Sequence, residues 1–166
     1  MKLQQKFILG SYIANKTGAD YAWGINDCNT FLFEFHDAAY GTNLMSLCKY
    51  RTKQSAREFS RGYMSPEQWM HIHDYKKIKG KNPKWQEGDV CVISQNDWMH
   101  IAYIYHNGAF WSMTEKGLNN YTAKAINKVK TSAWRKQEQQ EERDWIDDNT
   151  CEECKEFPCE CDRPKE

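Results

Sequence analysis

Asn107-Gly108 lies between two runs rich in apolar residues, Met99-His-Ile-Ala-Tyr-Ile-Tyr105 before it and Ala109-Phe-Trp-Ser-Met113 after it. An Asn-Gly pair in that setting is a strong hairpin signal, because both residues tolerate the positive φ of a tight turn. It commits the second half of the chain to antiparallel β-structure. Val90-Cys-Val-Ile93 reads as a preceding strand with a turn at residues 94–97, and a final strand or edge segment is expected near residues 126–134.

Ahead of Val90 the pattern is helical. Residues 2–15 place Leu3, Phe7 and Ile8 on one side, with Ile13 nearby, and Lys and Gln on the other, as in an amphipathic helix. Phe31, Leu32, Phe35 and Ala39 recur at three- and four-residue intervals and stop before Gly41, which predicts a second helix. A shorter helix is expected over residues 52–60, closed by Gly62. Another should begin at Ser65-Pro66, with Glu67 and Gln68 in its first turn. His71 and His73 are two apart and point to different sides of such a helix, so they read as packing or surface residues, not as a shared metal site. The basic stretch at residues 76–89 has Gly80 and Pro83 as breakers and reads as an exposed loop. Helices first and a meander second is an α+β arrangement.

The second helix begins at a cysteine. Tyr21-Ala-Trp-Gly-Ile-Asn-Asp-Cys28 delivers Cys28 to the first turn after an aromatic, glycine-hinged approach, with Asn26 or Asp27 placed to cap. Free N–H groups and the helix dipole at that end lower the free energy of a thiolate, which would make Cys28 a nucleophile. The plainer reading is a small buried apolar residue. A thiolate nucleophile needs a base and a group to orient that base, and His100, at the start of the hairpin, is the candidate base.

Hairpin register decides what faces His100. A three-residue loop at residues 106–108 puts Thr114 opposite His100 and Ser112 on the same face. A two-residue turn at Asn107-Gly108 puts Glu115 opposite instead.

Composition excludes some functions. Lys plus Arg number 23 and Asp plus Glu 23, so no basic excess points to nucleic acid. No stretch approaches the roughly 18 apolar residues of a membrane span, and the N-terminus has no extended apolar segment with a cleavage site. A chain of 166 residues with seven Trp and nine Tyr can build one core, expected over residues 1–136, with 137–166 as a charged spacer and tail. Without an export signal, reduced thiols are the default, and Cys48 and Cys91 read as ordinary buried thiols.

The blocks "YAWGINDCNTF", "EGDVCVI" and "HIAYIYHNGAFW" resemble, in order and approximate distance, the three-block pattern of the NlpC/P60 papain-like cysteine peptidases. The N-terminal helix, the Trp-Gly-x-x-Asp-Cys block, residues 50–57 and the late Ala133-Trp-Arg135 are similar to a branch of uncharacterised phage and prophage proteins. The resemblance implies a papain-like fold with Cys28 as nucleophile and His100 as general base. It makes Tyr21 and the Cys28 backbone amide oxyanion donors. Trp23 and Gly24 would shape the approach loop, and Asp89 is a structural turn residue. The family's third catalytic position, about a dozen residues after the base, falls on Ser112 here, with Glu115 close behind on chemistry, since a carboxylate orients an imidazole better than a hydroxyl does. The implied substrate is a peptide or amide bond in peptidoglycan stem peptides. Alternatives are a host protein substrate for the same dyad, or a non-catalytic assembly protein that docks phage virion proteins. The implied location is the host cytoplasm or the virion, with no membrane and no nucleic acid as partner.

Cys151, Cys154, Cys159 and Cys161 crowd one short acidic segment. The C-x-x-C pair has zinc-ligand spacing, whereas C-x-C with four residues between the pairs is tighter than usual zinc ribbons. A structural zinc and a reduced, unfolded tail are both open. Four thiolates would leave zinc no free position for catalysis, so no catalytic cofactor is expected.

Overall fold

The computed structural model describes residues 1–62, 66–96 and 98–137. The chain divides into two units, Met1–Lys136 and Gln137–Glu166. The first is α+β. Residues 138–166, with the charged spacer and the Cys151, Cys154, Cys159 and Cys161 cluster for which a structural zinc and an unfolded tail are both open, lie outside the described residues.

Helices α1 (Leu3–Asn15) and α2 (Cys28–Tyr40) come first, then a 3₁₀ turn at Leu44–Leu47, α3 (Lys53–Gly62) and α4 (Pro66–Ile72). The strands follow: β1 (Tyr75–Lys77), β2 (Val90–Ser94), β3 (His100–His106), β4 (Ala109–Thr114) and β5 (Gly117–Thr122). Helix α5 (Ala123–Val129) and strand β6 (Ser132–Lys136) complete the unit. The sheet is antiparallel in the order β1-β6-β2-β3-β4-β5.

Helix α2 forms where the sequence predicts and for the expected reasons. Asp27 caps it, Gly41 ends it in the left-handed region at φ 68°, and Phe31, Phe35 and Leu32 bury its apolar face. Each of those side chains contributes about 1.5–3 kcal/mol on burial. They pack with Leu9 and Trp69 onto Val90, Val92, Ala102, Ile104, Met113 and Trp134 of the sheet. Successive strand residues face opposite sides, and the alternate set, Cys91, Ile101, Tyr103, Phe110 and Ala133, meets Ile126 of α5. The sheet is therefore covered on both faces.

Helix α1 departs from expectation. Leu9 and Ile13 are buried, whereas Leu3 and Phe7 are 84 % and 75 % exposed. Its face is chosen by polar as well as apolar partners: Gln5 donates to the Ala39 carbonyl, and Tyr12 packs on Phe31 at 5.0 Å while donating to Glu34. Only the Leu9–Ile13 row shares that side. The segment read as a helix from Ser65-Pro66 ends in a strand instead. Tyr75 is the buried residue of β1, and Lys76 and Lys77, the first residues of the stretch read as an exposed loop, are paired in that strand with their side chains exposed. Ile126, expected in a strand, belongs to α5. Among the described residues no helix is long and apolar enough to cross a membrane.

The hairpin resolves the register. Asn107 and Gly108 have φ of 48° and 83°, and the pairs Ile104–Trp111, Tyr105–Phe110 and His106–Ala109 flank a two-residue turn.

Candidate active site

The approach loop is built around Asp27. Its Oδ1 accepts from the Asn29 and Thr30 amides at 2.9 and 3.0 Å and from the Tyr50 hydroxyl at 3.2 Å, and its Oδ2 accepts from Gly24 N–H at 2.6 Å. Thr30 Oγ1 returns the cap by accepting from Asp27 N–H at 2.7 Å. Gly24 has φ 67°, and a Cβ there would stand 1.9 Å from the Tyr50 carbonyl oxygen, so only glycine fits. Arg51 closes the loop by donating to the carbonyls of Gly24, Cys48 and Tyr50.

This frame presents Cys28 half-buried at the first position of α2. Tyr21, Trp23, Cys28, His100, Thr114 and Glu115 line one cavity of about 280 Å³, together with Asn29, Trp98, Tyr103, Asn119 and Tyr121. The residues come from the approach loop, α2, β3 and the segment just before it, the end of β4, β5 and the turn between those two strands, so the fold gathers segments that are far apart in sequence. Among the described residues, β3 and β4 are paired only from Ile104–Trp111 to the turn. The cavity is walled by the outer portions of both strands, Ile101 and Tyr103 on one and Met113 and Thr114 on the other.

The thiol differs from the sequence expectation. Burial first and then the Asp27 carboxylate push Cys28 up to about 12, while the Asn29 amide and its own amide work in the opposite direction. Desolvation of the charged form outweighs the helix start. Asp27 accounts for part of the reversal, since the residue that caps α2 also sets a negative charge beside the sulfur. Cys48 and Cys91 are likewise held near 12 by burial, but they are 3 % and 0 % exposed. Cys28 differs from them in access to the cavity.

His100 opens β3 with its Nδ1 2.8 Å from Ser94 Oγ. None of the three orienting groups anticipated from sequence is found in that position. Ser112 lies on the α5 side of β4 with Phe110, fully buried, its hydroxyl unpartnered among the described residues, and it does not line the cavity. That placement corrects the expectation drawn from family spacing. The two-residue turn shifts the register by one, and every β4 side chain changes face with it. Thr114 does reach the cavity, but its hydroxyl donates to the Gly117 carbonyl at 3.1 Å. Glu115, which an extension of that register would set opposite His100, lines the cavity just past the end of β4, yet its carboxylate is 62 % exposed and 3.7 Å from Lys53. Ser94, read from sequence as a turn residue, is the one at His100. The signal that points to it is strand pairing across the turn, not a motif.

Tyr21 stacks edge-on against Trp23 at 5.0 Å. Burial, Cys28, Asp27 and Glu115 all raise its phenol, in that order, so it carries a proton at neutral pH. Tyr103, on the cavity wall, is raised by burial and then by Tyr121 and Cys28, which adds a second protonated hydroxyl near the sulfur. A neutral thiol, an imidazole and protonated phenols around one cavity are the groups needed to exchange a proton and donate to an anionic oxygen.

Away from the cavity, Asp89 behaves as the structural residue expected, accepting from Arg135 Nε and Nη2 at 2.7 Å each. His71 packs edge-on to Trp134 at 4.8 Å and His73 stacks on Trp69 at 4.6 Å. Among the described residues no group of His, Cys, Asp or Glu is arranged to hold a metal ion. No curated protein matches the chain. Residues 1–135 match the model of the family described as Domain of unknown function (DUF6950), and the chain belongs to that family.

Proposed function

We propose that the protein is a papain-like cysteine hydrolase of the NlpC/P60 kind that cleaves peptide or amide bonds, with peptidoglycan stem peptides as substrate. The observation that carries the reading is the convergence of Cys28, His100 and Tyr21 on one cavity. The resting site holds a thiol, so His100 acts during the attack, not before it. As Sγ bonds to the substrate carbonyl carbon, the thiol proton passes to His100 Nε2. The carbonyl oxygen, now anionic, accepts from the Cys28 amide and the Tyr21 hydroxyl. The imidazolium gives its proton to the leaving amine as the C–N bond breaks, leaving a thioester on Cys28. Water, deprotonated by the same imidazole, then releases a carboxylate and restores the thiol.

The test is digestion of purified peptidoglycan and of isolated stem peptides by the full chain, with products resolved by mass spectrometry. Wild type should yield new amine and carboxylate ends, and Cys28→Ala and His100→Ala should each lose at least about 100-fold in rate. A wild-type protein inert on peptidoglycan but active on a host protein would move the substrate and keep the chemistry.

The unactivated thiol, pushed up to about 12, favours a second reading in which the cavity binds a partner without turnover. Peptide binding that Cys28→Ala leaves intact, with no product formed, would select that reading.

A further inference from the structure

His100 is held by the strand before it. Ser94 ends β2, His100 begins β3, and the two are direct antiparallel partners. Directly opposed residues project to the same face with Cβ atoms about 5 Å apart, and here the Oγ–Nδ1 distance is 2.8 Å. The connecting turn is tied on both sides. Asn96 Oδ1 accepts from the Trp98 and Met99 amides at 3.1 and 2.9 Å, and Gln95 N–H donates to the Met99 carbonyl at 2.9 Å. Ser94 N–H donates to Thr131 Oγ1 at 2.9 Å, while Thr131 N–H donates to the Val92 carbonyl at 2.8 Å. The serine is thus braced by the residue that leads into β6.

We propose that Ser94 is the positioning residue for His100, accepting the Nδ1 proton so that the neutral ring keeps Nε2 bare and turned to the cavity. This rests on the reading of His100 as base. A neutral imidazole carries one proton, and where it sits decides the function. With Nδ1–H donating to Ser94 Oγ, the Nε2 lone pair is free to take the Cys28 proton. With the hydroxyl donating instead, Nε2 carries the proton and the ring is no base. A hydroxyl stabilises the imidazolium less than a carboxylate does, which matches a site whose thiol rests neutral. The orienting role passes to β2 because Ser112 faces α5, the Thr114 hydroxyl is committed to Gly117, and Glu115 extends toward Lys53.

The experiment is nitrogen NMR of the histidine-labelled full chain, comparing wild type, Ser94→Ala and Ser94→Thr, with Cys28 alkylation by iodoacetamide measured at pH 7 on the same samples. Wild-type His100 should be the Nδ1–H tautomer when neutral. Ser94→Ala should shift it toward Nε2–H and slow alkylation about tenfold, the effect of one hydrogen bond lost to the imidazolium that forms as the thiol gives up its proton. Ser94→Thr should restore the tautomer and bring the rate back within about twofold, since it keeps the hydroxyl. An Nε2–H tautomer in wild type, or a tautomer and rate that ignore Ser94→Ala, overturns the assignment. The tautomer is legible whether or not a substrate is cleaved. An inert protein whose Nδ1–H tautomer depends on Ser94 removes the hydrolase reading alone, and an active one indifferent to Ser94 removes this assignment alone.

Discussion

Asp27 and Asp89 are both shut away from solvent, at 0 % and 1 % exposure, and the fold satisfies them by different means. Asp89 meets a cation: Arg135 grips both of its oxygens from β6, and the Gln86 amide adds a third bond at 2.9 Å. Asp27 meets neutral donors, three backbone amides and one phenol. The Arg135 pair neutralises its charge on the spot and pins β6 beside β2. The amide cradle leaves the Asp27 charge in place, where it organises the approach loop and raises the neighbouring thiol. One carboxylate holds strands together, and the other holds the loop that presents Cys28.

The largest effect that would test this contrast is at the ion pair. Arg135→Ala leaves Asp89 buried with little more than the Gln86 amide, and removal of one partner of a buried pair costs about 3–5 kcal/mol. Urea unfolding followed by tryptophan fluorescence should show that loss. A loss under about 1 kcal/mol would mean that water reaches Asp89 once the arginine is gone, and the staple reading would fall.

Next is the amide cradle. Asp27→Ala removes the helix cap, about 0.5–2 kcal/mol, and strands the Gly24 N–H and the Tyr50 hydroxyl, so a total near 2–3 kcal/mol is expected. Hydrogen exchange localises it. The Asn29 and Thr30 amides should lose protection, while the β2–β6 amides keep theirs. Uniform loss across the unit would show that the approach loop is not a separate structural element.

How far the sequence reveals these features depends on how local they are. The Asp27 cap, Cys28 at the helix start and the Gly41 stop lie within one helix and its edges, so their pattern survives without tertiary context. The Asn107-Gly108 turn is equally local, and its two-residue form alone is enough to move Ser112 to the α5 side. What escaped reading is set by partners elsewhere. Gly117–Thr122 has no strand-like alternation and becomes β5 only by pairing along β4. The buried face of α1 is chosen by Ala39, Phe31 and Glu34 on α2. Ser94 looks like a turn residue until the span from Gln95 to Met99 brings it opposite His100. The thiol's state is the furthest from the sequence, because dipole and burial oppose each other and only packing decides between them.

The smallest effect in stability is the most telling for chemistry. With Cys28 held near 12, its thiolate fraction grows with pH and is minor at neutrality. Alkylation by iodoacetamide should therefore rise above its His100-assisted level at pH 7 by about tenfold per pH unit from 8 to 10, where the thiolate carries the reaction, without a plateau. Asp27→Asn keeps the oxygen that caps α2 and sets an amide against the Gly24 N–H, a cost of about 1–2 kcal/mol. It also removes the charge beside the sulfur, which lowers the thiol and moves the whole profile to lower pH. At pH 8 the rate should increase about tenfold, the factor given by a one-unit fall. An unchanged rate would assign the high value to burial alone and leave Asp27 a purely structural carboxylate like Asp89. A wild-type plateau below pH 7, lost in His100→Ala, would reverse the order of events: Cys28 and His100 would then rest as an ion pair, and the proton would already have moved before substrate arrives.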